Sequence, residues 1–536
     1  MRALSLVARG LLVAAAIRIV ILYAAFWAGR PDVKSYHLEA SATFLVIVAA
    51  VAWWAASRRR DDGPQHETAG GTSSVESWGA FVFFPLAALA LYSSALPVGL
   101  LSDDFVLVSY GHDWRLGAGA SYVFRPVSVV LWGLLDHMHL GVAPFHGLVF
   151  LLHGVVAWLT LRIASAWLDS ARGAWLAAVL MLTFPVAVEP VVWLANGFEN
   201  VVMAMFALMA VLVARRYGDA PTVRDRVLCA ALAVAAVLSK ETAAVTGVLI
   251  LIDAWVRRAL TRAVRFDAIA LGAAGVLYGA IRILAASDAP PHEISKYTLQ
   301  RTLFQTFGSL AQQWPATAQS LGVPVAVISV IALLIITVAA VWQGRRDTGR
   351  VFVASVAWSI VSVLPVFGWI LIGPNLRDSR WVYLAAPAWA IGLAALVTSP
   401  TQRFIRTLAV VSAGLVIVLN VMAVRWQIAA WLRAGEIRDR VLPAISENSG
   451  VRACETVALS DLPENVDGAY VLLNGVAEAL AQRGQPIRLN PAAPPSCRFR
   501  WDGRAIVPGA KAASAKWPPG LTAMRARSEG AADPPR

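Results

Sequence analysis

The sequence predicts an all-α polytopic membrane protein of about thirteen spans carrying a small C-terminal α/β domain. The first part rests on composition: of 536 residues, 58% are hydrophobic and 15% charged, with a mean hydropathy of +0.63. Apolar residues fall in runs close to the ~20 residues that cross a bilayer. The second part rests on a change of pattern after residue 430, where short β-type runs alternate with turn residues. A net charge of +13 would suggest nucleic-acid binding in a soluble chain. Here the basic residues stand in short clusters between apolar runs, which is a topology signal, and no nucleic-acid partner is expected.

In order along the chain, spans are expected at 4–27, 38–56, 80–100, 144–165, 172–187, 190–214, 226–239, 242–257, 266–286, 320–342, 351–372, 381–398 and 407–430. The clusters Arg58-Arg59-Arg60, Arg215-Arg216, Arg257-Arg258, Arg345-Arg346 and Arg403/Arg406 all face the cytoplasm if the N-terminus does, as the positive-inside rule requires. The same alternation puts Asp103-Asp104, Glu189, Lys240-Glu241, Arg377/Arg380 and everything after 430 on the outer face. Residues 125–140 and 296–313 read as helices lying along the interface. The organisation expected is a transmembrane hairpin at 1–57, a cytoplasmic linker at 58–79, a core at 80–430, an extracytoplasmic α/β domain at 431–511 and a disordered tail at 512–536. The first span carries Arg9 and Arg18 and reads as retained, so the chain is expected in a bacterial inner membrane, among membrane lipids.

Ionisable residues near membrane depth are costly, about 2.5–3.5 kcal/mol at a span's centre, and those that remain tend to line polar cavities. Glu189 in "FPVAVEPVVW" is such a residue, though a carboxylate tying two helices through an arginine fits equally well. Asp103-Asp104 in "LLSDDF" reads by itself as a helix cap. Lys240-Glu241 reads as an outer turn whose charges pair with each other. His139, His146 and His153 show no metal-ligand spacing and are expected as polar tips within packed helices. Cys229 reads as a packing residue; Cys454 and Cys497 form a disulfide if their domain meets an oxidising compartment, and stay two thiols otherwise.

Five segments in order, "SDDF", "FRPVSVVLWGLLDHMHLGVAPFHG", "FPVAVEPVVWLANGFENVV", "LSKETAAV" and "DSRWVYLAAPAW", resemble the multi-pass GT-C glycosyltransferases. The likeness is to bacterial relatives of the protein O-mannosyltransferases, including the tetratricopeptide-bearing branch, and it covers residues 80–400. It implies a GT-C helical bundle, a sugar donor on polyprenyl phosphate, and transfer with inversion outside the cytoplasm, with the acidic motif falling on Asp103 and Asp104. Where the family has His-Pro and Arg-Tyr, this chain has Phe184-Pro185 and Arg380-Trp381 with Tyr383 following, and no tetratricopeptide repeat is legible after 430.

The chemistry asks for the same residue types. A phosphodiester oxygen leaves as a stable anion, so the donor side needs cations: Arg377, Arg380, Arg125 and Lys240, with Tyr383 beside them. The acceptor hydroxyl, on an undetermined glycan, lipid or protein, needs a carboxylate as general base. Asp103 or Asp104 supplies it, and adjacent acids in an extended chain point opposite ways, so their roles should differ. The partner orients the acceptor or, with Asp104, holds a divalent ion such as Mg or Mn. A lipid or sugar transporter, and an inactive scaffold that binds a lipid-linked sugar, are the alternatives; the former predicts inverted repeats and midplane carboxylates, which the sequence does not display.

Overall fold

The computed structural model describes residues 74–116, 124–168, 170–217, 221–285, 348–366 and 375–509, with residues 14, 331–332 and 335–336. The spans expected at 4–27 and 38–56, most of that at 320–342, the interfacial helix at 296–313 and the tail at 512–536 lie outside these residues. Within them the chain is mostly helical, and six helices are long and apolar enough to cross a membrane, seven if one bent pair counts as a span. The expected thirteen are thus not confirmed among the described residues: three of them lie wholly or mostly outside these, and others are helices of 11 to 17 residues, at or below the short end of the range for a straight crossing.

The helices are α1 (Ser74–Tyr92, extended by a 3₁₀ turn to Val98), α2 (Asp103–His112), α3 (Pro126–His137), α4 (Val142–Trp167), α5 (Ala171–Thr183) and α6 (Val188–Val192). There follow α7 (Leu194–Ala214), α8 (Val223–Ser239), α9 (Thr246–Val256), α10 (Arg262–Ala285), α11 (Thr348–Val363), α12 (Ala386–Thr398) and α13 (Arg403–Glu447). Local sequence sets their ends. Ser170 caps α5 by accepting from Gly173 N at 3.2 Å, Thr222 caps α8 through Asp225 N, and Pro126 opens α3 at a position whose N–H has no intrahelical partner anyway. Pro185 and Pro190 interrupt the helical ladder after α5, and the chain bends by 48° there. That break sets Glu189 inside the bundle wall.

Packing centres on α4, α5, α7 and α12, whose inward-facing apolar side chains are buried. Gly197 permits part of this: a Cβ there would stand 2.7 Å from Val149 Cγ1 on α4. Large apolar residues stay exposed along α1 (Trp78, Phe83, Leu86), α10 (Phe266, Val276, Leu277) and the first half of α13 (Phe404, Val411, Val418), as lipid-facing surfaces require. On α13 the last of these is Met422. Beyond it come Arg425, Arg433, Arg438 and Arg440.

The helix expected to end at 430 runs on to Glu447. At 45 residues it is about 67 Å long, more than twice a hydrocarbon core of ~30 Å. Its second half, the stalk, keeps one face buried (Trp431, Ala434, Arg438, Leu442), with Trp431 against Trp193 and Arg438 bonded to Val98 O and Leu100 O, and the boundary expected at 431 falls inside a continuous helix. On the stalk sits an α/β unit: a four-stranded sheet in the order β4-β1-β5-β6 and a hairpin of β2 (Asn465–Val466) and β3 (Ala469–Tyr470), with α14 (Val476–Gln482) following the hairpin. β1 (Thr456–Ser460) pairs in parallel with β4 (Arg488–Leu489) and β5 (Arg498–Trp501), and β5 pairs antiparallel with β6 (Ile506–Pro508). Cys454 and Cys497, 43 residues apart, are joined in a disulfide that fastens the entry to β1 onto the entry to β5. Cys229 is buried, its thiol 3.6 Å from Ala210 O.

Candidate functional site

Two polar clusters stand at opposite ends of α7, a helix of 21 residues and so about 30 Å long. At its C-terminal end Asp253 gathers Arg215, Arg257 (2.8 Å) and Trp167 Nε1 (2.8 Å). These are the basic clusters of the sequence analysis, tied by one carboxylate. At the N-terminal end the residues singled out for chemistry come together.

The acidic pair opens α2, so the two carboxylates lie in a first helical turn and not in an extended chain. They have different surroundings all the same. Asp104 is 1% exposed; its Oδ2 accepts from Leu101 N at 2.8 Å and its Oδ1 from Ala195 N at 2.6 Å, which ties the loop before α2 to the start of α7. Asp103 is partly exposed, and its Oδ1 accepts from Asn474 Nδ2 at 2.7 Å. Burial pushes the Asp103 carboxyl up, the Asn474 amide and the guanidinium of Arg380 pull it back, Glu199 pushes it up and Arg125 pulls it down. Those charges thus lie within electrostatic reach of Asp103.

Around Asp103 two ion networks meet. In the first, Arg125 grips Glu241 with Nε (3.0 Å) and Nη2 (2.6 Å) and turns Nη1 to Glu199 at 2.5 Å. Lys240 approaches the same Glu199 at 3.6 Å. Lys240 and Glu241, expected to pair with each other, are thus drawn to different partners, because burial of Lys240 (1% exposed) demands a deep counter-ion. Burial lowers the Lys240 ammonium to about 8, and Arg125 holds Glu241 down at about 2. In the second network Arg380 bonds Glu189 through Nη1 and Asp378 through Nη2 at 2.8 Å, while Tyr470 Oη donates to Asp378 at 2.9 Å. Glu189 also accepts from Ser379 Oγ at 3.4 Å. Trp381 joins the networks, its ring 4.5 Å from Lys240 Nζ and 5.1 Å from the Arg380 guanidinium. Trp193 and Tyr470, with ring centroids 4.6 Å apart, cover Arg380 at 5.3 and 5.5 Å.

Arg377 lies at the rim, 43% exposed and 3.5 Å from Asp378. Tyr383 does not belong here. It follows the 3₁₀ turn Ser379–Val382 into the α12 core, fully buried, and shares a 2.7 Å hydrogen bond with His153 Nδ1. Because His153 Nε2 faces Leu182 O at 3.2 Å and a carbonyl only accepts, Nε2 carries the proton and Nδ1 accepts from the phenol. His146 is likewise buried, whereas His139 is exposed in the turn between α3 and α4 and not in a packed helix.

Glu199, Asp378, Tyr470 and Asn474 were not singled out in the sequence, and Trp381 was noted only as the residue after Arg380. Glu199 had a signal, since it is an ionisable residue at the mouth of an apolar span. It sits in a π turn, Gly197–Val201, of the kind that often marks functional positions. Asn474 had none, being 371 residues from its partner.

Among the described residues no group of three or more His, Cys, Asp or Glu side chains is arranged to hold a metal ion. Asp104, the metal ligand considered, is 1% exposed, and each of its oxygens already accepts a backbone N–H.

The fold and site define a helical membrane protein with an aromatic-lined network of ion pairs at one end of its bundle, roofed by a small α/β domain. No protein-family model and no curated protein matches the chain. Among solved structures it is similar to the arabinosyltransferase EmbB from Mycobacterium smegmatis, at 13% identity and a TM-score of 0.30, over 85% of this chain and 47% of that one. The chain spans about half the length of that enzyme, and the likeness is too loose to carry over fold, donor or residue roles.

Proposed function

We propose that the chain is a GT-C-type membrane glycosyltransferase that moves a sugar from a polyprenyl-phosphate donor to an acceptor hydroxyl on the extracytoplasmic face, with inversion at the anomeric carbon. One observation carries this reading: a partly exposed carboxylate, Asp103, has one oxygen anchored by Asn474 and the other without a partner among the described contacts, and it lies within electrostatic reach of Arg125 and Arg380. In the reaction, Asp103 takes the proton of the acceptor hydroxyl as its oxygen attacks the anomeric carbon. The bond from that carbon to the phosphate oxygen breaks, and polyprenyl phosphate leaves with the electron pair.

The ion networks are suited to receive that charge, but only by exchanging partners. Arg125, Lys240, Arg377 and Arg380 stand among Asp103, Glu189, Glu199, Glu241 and Asp378, so each cation already has a counter-ion or lies beside one. Arg125 holds two carboxylates at hydrogen-bond distance. Lys240, held only at 3.6 Å, and Arg377, held at 3.5 Å at the rim, are the least tightly paired of the four. A divalent ion is not assigned to Asp104 in this reading.

The test is release of polyprenyl phosphate when the purified chain is given a lipid extract of its host's membranes; no release at any acceptor or ion concentration would refute the activity. The pH dependence is specific. Lys240 is lowered to about 8, so its charge is present below that pH and lost as pH rises through it. Donor KM should therefore climb above about pH 8 in the wild type, and Lys240→Arg, which stays charged, should flatten the climb. Sidedness is tested separately: reporters fused after residues 216, 258 and 403 should report cytoplasm, and one after 509 the opposite side. A cytoplasmic signal at 509 would put the site on the wrong face for a lipid-linked sugar used outside the cell.

A further inference from the structure

We infer that the C-terminal α/β domain completes the site, with Asn474 as a positioning residue that fixes the Asp103 carboxylate for proton transfer. The inference rests on the reading of Asp103 as general base. The contact is part of a continuous seam. Ser102 N donates to Val471 O at 3.0 Å, Asn474 N donates to Ser102 Oγ at 3.2 Å, and the Asn474 side-chain amide donates to Asp103 Oδ1 at 2.7 Å. One residue on, Gly475 has φ +76°, and a Cβ there would stand 2.4 Å from Ser102 O. Only glycine lets the domain's loop come this close.

The loop that bears the aspartates is held from the stalk side too. Arg438 on α13 donates to Val98 O (3.0 Å) and Leu100 O (2.5 Å). Between these clamps Ser102 takes φ +47°, a left-handed conformation costly for a residue with a Cβ and kept only where surroundings enforce it. The stalk and the domain hold the same loop from two sides. They convert a loop between two helices into a rigid mount, and the amide occupies one carboxylate oxygen so that the other stays aimed at the acceptor.

A purely structural tie and a positioning role differ in what they do to the acid limb of the pH–rate profile. Asp103 is faced by Asn474 from the domain, by Asp104 from its own helix, by Glu199 from α7, by Arg125 ahead of α3 and by Arg380 ahead of α12. Removing the amide donor removes a stabiliser of the charged form, so the base must titrate higher.

In the full-length protein, release of polyprenyl phosphate from host membrane lipid extract is measured across pH for wild type, Asn474→Ala, Asn474→Ser, Asn474→Asp and, as control, Asp103→Asn. Asn474→Ala should lower kcat roughly tenfold, leave donor KM unchanged, and move the acid limb up by about one pH unit. Asn474→Ser keeps a donor and should lie between Ala and wild type, which also covers the case in which Ala loosens the domain. Asn474→Asp sets a second charge against Asp103 and should move the limb further. A wild-type kcat and acid limb in Asn474→Ala, with Asp103→Asn inactive, overturns the positioning role alone. Full activity in Asp103→Asn overturns both the role and the base assignment beneath it.

Discussion

Asp103→Asn should lose about 10²-fold or more in transfer rate while the protein folds and binds donor as before. That is the scale of a missing general base. The substitution keeps the side chain's size, and Asn474 can still donate to the new amide's carbonyl oxygen, so the seam between loop and domain survives. What is lost is the capacity to take a proton. Asp104→Asn makes the informative contrast. Both oxygens of Asp104 accept backbone N–H groups, and an asparagine offers one acceptor and turns its NH₂ against the second donor. The cost, about 1–3 kcal/mol for an unsatisfied buried donor, should appear as a lower melting temperature. Rates measured well below that temperature, with the acid limb of the pH profile, sort the two aspartates. If Asp103→Asn retains its rate and Asp104→Asn loses it at full stability, the roles are reversed.

Much of the bundle was legible because its signal is one-dimensional. Apolar runs gave the centres of α1, α4, α7, α10 and α11, whereas the bend at Pro185 was not legible, since the sequence there divides into spans at 172–187 and 190–214. The end of α13 was not legible, because Trp431 to Glu447 is amphipathic and charged, and hydropathy that falls at the membrane surface says nothing of whether the helix stops there. The aspartates, Glu189, Lys240 and Arg380 stood out because charges beside apolar runs are rare. Their partners did not. Which cation meets which carboxylate depends on how helices rotate about their axes, so Lys240 and Glu241, adjacent in sequence, join Glu199 and Arg125. Tyr383 shows the same limit from the other side, for three residues of 3₁₀ turn carry it from the Arg380 network into the core with His153.

Arg380→Ala should destabilise the protein by about 3–5 kcal/mol, the cost of leaving a buried carboxylate without its partner. Glu189 is 3% exposed, and apart from Arg380 only the Ser379 hydroxyl, at 3.4 Å, approaches its carboxylate among the described contacts. Arg380→Lys should recover part of that loss and little of the function. The guanidinium addresses Glu189 and Asp378 with separate nitrogens while lying against Trp193, Trp381 and Tyr470. An ammonium supplies the charge but neither the planar fork nor the stacked face. Stability and donor handling are then separated by removing the pair as a unit. Buried ion pairs replaced by apolar residues of similar volume are often neutral or stabilising, so Glu189→Leu with Arg380→Met should recover most of the lost melting temperature, the remainder being the cost to Asp378, which keeps Tyr470 and Arg377 as partners. If Arg380 exchanges Glu189 for the donor phosphate, the double variant stays folded and its donor KM remains raised by tenfold or more. A double variant that regains both stability and wild-type KM would reduce the pair to a tie between the bent segment and α12, and would leave Lys240 and Arg125 as the cations that meet the phosphate.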